Sequence, residues 1–185
     1  MGTIEVIVGC MYSGKSEELI RRLRRLSVAK KKIIVFKPAI DKRWNRRDEL
    51  VSRSGTAFAA YPVLTPLEML EKSRDYDVVG VDEAHFFDQS FLSVISEIRE
   101  LGKQVIVASL DMDFRRESFR HIAELLSVAD AIVKLDAICT QCGGRATLTQ
   151  RLINGQPAPS SGERLHVGDD DEYQARCRAC HITRI

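Results

Sequence analysis

Short apolar runs rich in β-branched residues recur through the first three-quarters of the chain, at residues 4–8, 33–36, 78–81, 105–108 and 131–134. Between several of them the apolar positions switch to helical spacing, over 17–29, 66–73, 89–101 and 118–128. Runs that are apolar at consecutive positions predict strands buried on both faces, and their alternation with helices predicts a parallel sheet with helices on both sides. Gly102 and Lys103 mark the end of one helix before a strand. After Asp136 the pattern changes to short alternating stretches such as 146–152 and a Pro/Ser/Gly-rich segment, 154–162. These predict short antiparallel strands around a loop. The chain therefore divides into 1–136, a core α/β domain, and 137–185, a small lobe. Residues 41–55 are polar and charged with little periodicity and read as a functional loop.

At 185 residues the chain is long enough to bury a substantial core. Lys and Arg number 28 against 26 Asp and Glu, so a net charge of +2 gives no case for a nucleic-acid or membrane partner. The densest basic stretch is Arg21, Arg22, Arg24, Arg25, Lys30, Lys31 and Lys32. It surrounds an apolar stripe of Leu19, Ile20, Leu23 and Leu26 and reads as a solvated helix face. With no apolar stretch of membrane-spanning length and no signal-peptide pattern, the expectation is a cytoplasmic protein. Its five cysteines then call for an explanation other than disulfides.

Gly9-Cys10-Met11-Tyr12-Ser13-Gly14-Lys15-Ser16 fits the phosphate-binding pattern G-x-x-x-x-G-K-[ST], and lies between a predicted strand and a predicted helix. In that setting backbone N–H groups and the helix dipole converge on phosphate oxygens, so the chain is expected to bind a nucleoside triphosphate. Lys15 would neutralise the β and γ phosphates and the Ser16 hydroxyl would hold Mg²⁺. Cys10, far from the other cysteines in sequence, reads as a small apolar filler.

The strand at 78–81 ends in Asp82-Glu83-Ala84-His85-Phe86-Phe87. Asp82 can hold Mg²⁺ or its waters, while Glu83, one residue further, can take a proton from an attacking hydroxyl or water. Asp82-Glu83-Ala84-His85 also matches the DEAH signature of helicases, but such motors need two RecA-like domains and this length accommodates one. Cys139-x-x-Cys142 and Cys177-x-x-Cys180 form two thiolate pairs in a zinc-ribbon arrangement, separated by 34 residues that must leave the metal site and return. Four thiolates leave no open coordination position, so Zn²⁺ there is structural. His181 competes with Cys180 as fourth ligand, and the two-residue spacing favours Cys180.

Over nearly its full length the chain resembles the type II (cellular-type) thymidine kinases. The resemblance rests on the phosphate loop with Glu18-Leu19, Phe36-Lys37-Pro38 with Asp41 and Arg43, Asp82-Glu83-Ala84 with Phe86-Phe87, Leu110-Asp111-Met112-Asp113-Phe114 with Phe119, and both cysteine pairs. It implies a RecA-like P-loop core with a mostly parallel sheet, plus a C-terminal zinc-ribbon lobe carrying a lasso loop. It further implies transfer of the γ-phosphoryl group of ATP to the 5′-hydroxyl of thymidine, a homotetramer, and feedback inhibition by dTTP. Glu83 would be the general base. Asp41 and Arg43 would approach the phosphates, and Ala84 and His85 would flank them. Met11, Phe86, Leu110, Phe114 and Phe119 would wall the nucleoside pocket, although periodicity alone makes Leu110 and Phe119 plain core. Thr149, Arg164, Leu165, His166, Val167, Gly168 and Tyr173 would hold the base from the lasso.

The chain departs from the family pattern in places. His85 stands where Gln is usual, Arg53 where His is usual, and Ser118 where Pro usually precedes Phe119; the lasso insert, 154–163, is long and rich in Pro and Ser. Two other functions remain open on the residues alone: an ATP-driven nucleic-acid binder using the ribbon as a grip, and a nucleotide-binding regulator without turnover. The acidic run 169–172 opposes the first and Glu83 the second.

Overall fold

The structure is a computed structural model and describes residues 1–41, 48–51, 55–165 and 172–183. In chain order the first part comprises β1 (Thr3–Gly9), α1 (Lys15–Val28), β2 (Ile33–Pro38), β3 (Glu49–Val51), β4 (Ala57–Ala59), β5 (Tyr61–Val63) and α2 (Pro66–Lys72). It continues with β6 (Val78–Val81), α3 (Ser90–Glu100), β7 (Gln104–Ser109), α4 (Arg120–Val128) and β8 (Ala131–Leu135). Six of these strands form one sheet in the order β5-β2-β6-β7-β1-β8, and every neighbouring pair is parallel.

The alternation of side chains along β1 shows why both faces must be covered. Ile4, Val6 and Val8 point to one face, where α3 and α4 pack Phe91, Ile95, Ile98, Ile122 and Leu125 against them. Ile7 points to the other, against Leu19, Ile20 and Leu23 of α1. The apolar stripe of α1 is therefore core and its arginines lie outside it, as the spacing predicts. Leu50 and Ala60, from the stretch containing the antiparallel β3-β4 pair, extend the apolar cover on the α1 face. A capping box at Thr65 and Glu68, with Pro66 at the first position, starts α2.

The five predicted strands and four predicted helices are all present. Three details differ. Residues 49–51 form a strand rather than part of a loop, held by pairing with β4. The edge strand β5 was not predicted, because Tyr61-Pro62-Val63 is too short to show a pattern. Helix α4 begins at Arg120 rather than 118, since Ser118 is taken up in a bridge to Met112 and Phe119 has extended geometry.

Beyond β8 the strands are short and antiparallel, as expected: β9 (Ala137–Ile138), β10 (Arg145–Ala146), β11 (Leu148–Ile153), β12 (Gln156–Pro157) and β13 (Tyr173–Arg176). They pair as β10-β9 and β12-β11-β13. Among the described residues no helix is long and apolar enough to cross a membrane.

Candidate functional site

In a parallel sheet whose strand order reverses, ligands bind outside the carboxyl ends of the strands. The phosphate loop follows β1, Asp82 and Glu83 follow β6, and Leu110 to Phe114 follow β7, so all converge on that edge. Gly9, at φ 155, passes so close to the chain after β8 that an added Cβ would lie 2.4 Å from the Leu135 carbonyl oxygen. Gly14 sits at the start of α1 with φ 80, a left-handed conformation that glycine adopts without strain. The loop curls over itself: the Cys10 carbonyl accepts from the Ser13 hydroxyl and the Lys15 ammonium, each at 2.8 Å. Lys15 is thereby held over the loop at the helix N-terminus, where an anion is favoured.

The Ser16 hydroxyl donates to Asp82 Oδ2 at 2.8 Å, joining the two motifs across 66 residues of chain. A hydroxyl and a carboxylate in contact are hard oxygen donors of the kind that hold Mg²⁺ beside phosphates. Glu83 follows in the left-handed region, φ 51 and ψ 40, and starts a 3-10 turn over Ala84–Phe86. A non-glycine residue held there stores strain, and such residues concentrate at functional sites. The turn brings His85 Nδ1 to 3.5 Å from Glu83 Oε2. The same nitrogen lies 3.4 Å from the Leu110 N–H. Leu110 requires an imidazole lone pair on that atom, whereas the carboxylate would prefer a proton there.

His85 is buried and packs on Phe86 at 4.3 Å and Phe119 at 5.2 Å between ring centroids. Phe87 turns the other way and stacks on Phe91 in the core, so of the two aromatics only Phe86 lines the His85 side. Leu110 and Phe119 pack against the α3/α4 core, as their periodicity indicated. Phe119 also carries the Arg164 guanidinium over its ring at 4.7 Å. Phe114 lies between two guanidiniums, Arg115 at 5.3 Å and Arg151 at 5.5 Å from its ring centroid.

The C-terminal lobe reaches this edge through the phosphate loop. The Cys10 thiol donates to the Ala146 carbonyl at 3.4 Å, the Met11 N–H to the Thr149 hydroxyl at 3.0 Å, and the Tyr12 hydroxyl to the Tyr173 carbonyl at 2.7 Å. Three consecutive loop residues are thus tied to three points of the lobe. Arg164 in turn binds Asp113 Oδ2 at 2.9 Å and the Ser118 carbonyl at 2.6 Å. Asp113 is buried and also accepts from the N–H groups of Arg115 and Glu117. Leu165 is exposed and Asp41 closes a turn onto the Pro38 carbonyl. Arg43, Arg53, His166, Val167 and Gly168 lie outside the described residues.

Cys139, Cys142, Cys177 and Cys180 bring their sulfurs within 4.8 Å of one another. Tetrahedral Zn–S bonds of about 2.3 Å would set sulfurs about 3.8 Å apart. Cys142 and Cys177 Sγ stand at 3.7 Å, so the set fits Zn²⁺. Backbone N–H groups, that of Cys177 foremost, hold the Cys139 thiol down at about 6, while the Cys177 and Cys142 sulfurs push Cys180 up to about 12. A divalent cation resolves that conflict by favouring thiolate at all four. His181 is turned away from the cage: its Nε2–H donates to the Thr149 carbonyl at 3.2 Å and its Nδ1 accepts from Arg116 at 3.1 Å. The choice of Cys180 over His181 is therefore explained by what the imidazole already binds.

Sequence reasoning did not single out Arg115, Arg151 or the Tyr12 hydroxyl, and it named Asp113 only as part of the family stretch, with no role. Each acts through a partner distant in the chain, which no local motif reveals.

Phosphate loop, acidic strand end and four-thiol lobe define a phosphate-loop phosphotransferase with a cysteine-clasped second lobe. The chain belongs to the thymidine kinase family, whose model matches residues 2–181, and it is an enzyme that phosphorylates thymidine with ATP. Among solved structures it is similar to the flagellar accessory protein FlaH from Methanocaldococcus jannaschii, at 14% identity and a TM-score of 0.48, over 77% of this chain and 74% of that one. It is also similar to a DNA replication initiation factor, at 18% identity and a TM-score of 0.44, over 72% of this chain and 40% of that one.

Proposed function

We propose that Glu83 is the general base of the thymidine kinase reaction and that the lobe after residue 136 closes a lasso over the nucleoside. The Glu83 carboxylate takes the proton of the 5′-hydroxyl as the oxygen bonds to the γ-phosphorus, and the bond from that phosphorus to the β-phosphate oxygen breaks, releasing ADP. Lys15 neutralises charge on the phosphates throughout. Ser16 and Asp82 would hold Mg²⁺, which would supply positive charge against that developing on the phosphates. Zn²⁺ in the four-thiolate cage would be structural and anchor both ends of the lasso. The observation that carries this reading is the pairing of Ser16 with Asp82 at 2.8 Å, with Glu83 the next residue in a strained turn. Arg43 approaching the phosphates, lasso contacts from His166 to Gly168, a homotetramer, a cytoplasmic site of action and inhibition by dTTP belong to the same reading, through the family resemblance.

The test is one assay with three arms: protein, ATP and Mg²⁺ with thymidine, with single-stranded DNA, or with neither. ADP should form together with dTMP in the first arm only. Hydrolysis stimulated by DNA would overturn the kinase reading. In the first arm, Glu83→Gln should lower the rate by roughly 10²- to 10⁴-fold while leaving the affinity for a non-hydrolysable ATP analogue within a small factor. Retention of more than about a tenth of the activity would be too much for a general base.

A further inference from the structure

The tip of a phosphate loop normally needs nothing beyond its own strand and helix to hold its shape. Here Tyr12 has φ 69, a left-handed conformation that is unfavourable for a residue with a Cβ. Its side chain leaves the loop, and its hydroxyl donates to the Tyr173 carbonyl at 2.7 Å, 161 residues along the chain. Tyr173 is buried and begins β13, the strand that runs directly into Cys177. Tyr12 itself packs against the small cluster of Cys10, Ala137, Cys139, Ala146 and Ala175 that backs the four-thiol cage. One side chain therefore touches the phosphate loop, the returning end of the lasso and the apolar backing of the metal cage.

We propose that Tyr12 is a positioning residue that couples the nucleotide site to the nucleoside site. Phosphate binding fixes the loop backbone at residue 12, and the phenol passes that constraint to the Tyr173 carbonyl and so to the root of the lasso. A nucleoside bound against the lobe fixes the same carbonyl and pre-forms the loop for phosphate. Reciprocity is required: whatever factor ATP adds to thymidine affinity, thymidine adds to ATP affinity. The Cys10 and Met11 links run to Ala146 and Thr149, on the outgoing side of the lasso. Tyr12 is the link on the returning side. This inference rests on the assignment of the lasso to the nucleoside and the loop to ATP.

The test uses the zinc-loaded full chain and its Tyr12→Phe variant, which keeps the ring and loses only the hydroxyl. Thymidine binding is titrated by calorimetry with and without a saturating non-hydrolysable ATP analogue and Mg²⁺, and the ratio of the two dissociation constants is the readout. In the unaltered protein the analogue should tighten thymidine binding. In the variant the ratio should fall by about threefold to tenfold, the worth of one hydrogen bond, with zinc content unchanged. A merely structural role would weaken both titrations alike and leave the ratio alone. An unchanged ratio in the variant, or a ratio of one in the unaltered protein, overturns the coupling. Failure of the unaltered protein to bind thymidine in either titration would overturn the site assignment and this inference with it.

Discussion

His121 shows how far the residues around Glu83 are constrained by what lies beneath them. Its Nε2–H donates to the Ala84 carbonyl at 3.2 Å, under the turn that starts at Glu83. Phe91 meets it edge-on and Phe119 lies at 6.4 Å. Burial is the largest influence on its pKa and lowers it from the ordinary 6.5; Arg164 acts in the same direction, while the Ala84 carbonyl, Asp88 and Glu124 act against it. The folded protein thus prefers neutral His121, and the unfolded chain takes up the proton first as pH falls. The stabilisation is whole above about pH 6.5 and is lost as pH drops through the lowered folded value. His121→Gln keeps a donor towards Ala84 and removes the titration. Its melting temperature should fall less between pH 7.5 and 5.5 than that of the unaltered protein. Parallel pH profiles would mean that the imidazole's burial contributes nothing to acid sensitivity.

The elements were legible in the sequence where burial is two-sided. Strands β1, β6 and β7 are apolar at nearly every position because helices, or a helix and a hairpin, cover both faces, and such runs stand out without any partner being known. Strand β5 and the β3-β4 hairpin did not stand out, since three-residue strands are made by their neighbours rather than by their own pattern. The same division holds at the site. The phosphate loop, Asp82-Glu83 and the cysteine pairs were legible because each is local in sequence. The Arg164 to Asp113 contact, 51 residues apart, and the Tyr12 to Tyr173 contact are products of the fold. One consequence concerns the metal turns. Because Cys139, Cys177 and Cys180 share an apolar cluster with Cys10 and Tyr12, losing a metal held by the four thiols should disturb the phosphate loop as well as the lasso. Cys142→Ser should lower the zinc content and raise the apparent KM for both ATP and thymidine. Metal analysis finding no zinc in freshly purified unaltered protein would remove the idea, and a change in the thymidine KM alone would disconnect the cage from the loop.

At the scale of the whole molecule, the residues proposed to hold the nucleoside and the phosphates come from both parts of the chain and meet at the phosphate loop. Phe114 and Phe119 precede α4, Arg164 lies over Phe119, and the lobe carrying Arg164 grips the phosphate loop at Cys10, Met11 and Tyr12. On the proposed reading, thymidine and ATP occupy neighbouring parts of that site. A molecule that joins a thymine base to a triphosphate could lay its base under the lasso and its phosphates towards Lys15, making in one binding event contacts that otherwise order two ligands. The triphosphate of thymidine should therefore bind more tightly than thymidine and inhibit the enzyme. Since it binds only the folded form, it should raise the melting temperature linearly with the logarithm of its concentration once saturating. The measurement is melting temperature and initial rate against added dTTP, with dCTP as control. The thymine nucleotide should stabilise and inhibit at concentrations where the cytosine nucleotide does neither. Equal effects of the two would mean that only the triphosphate is recognised, through Lys15 and the loop, and that the base is held by nothing in the lasso.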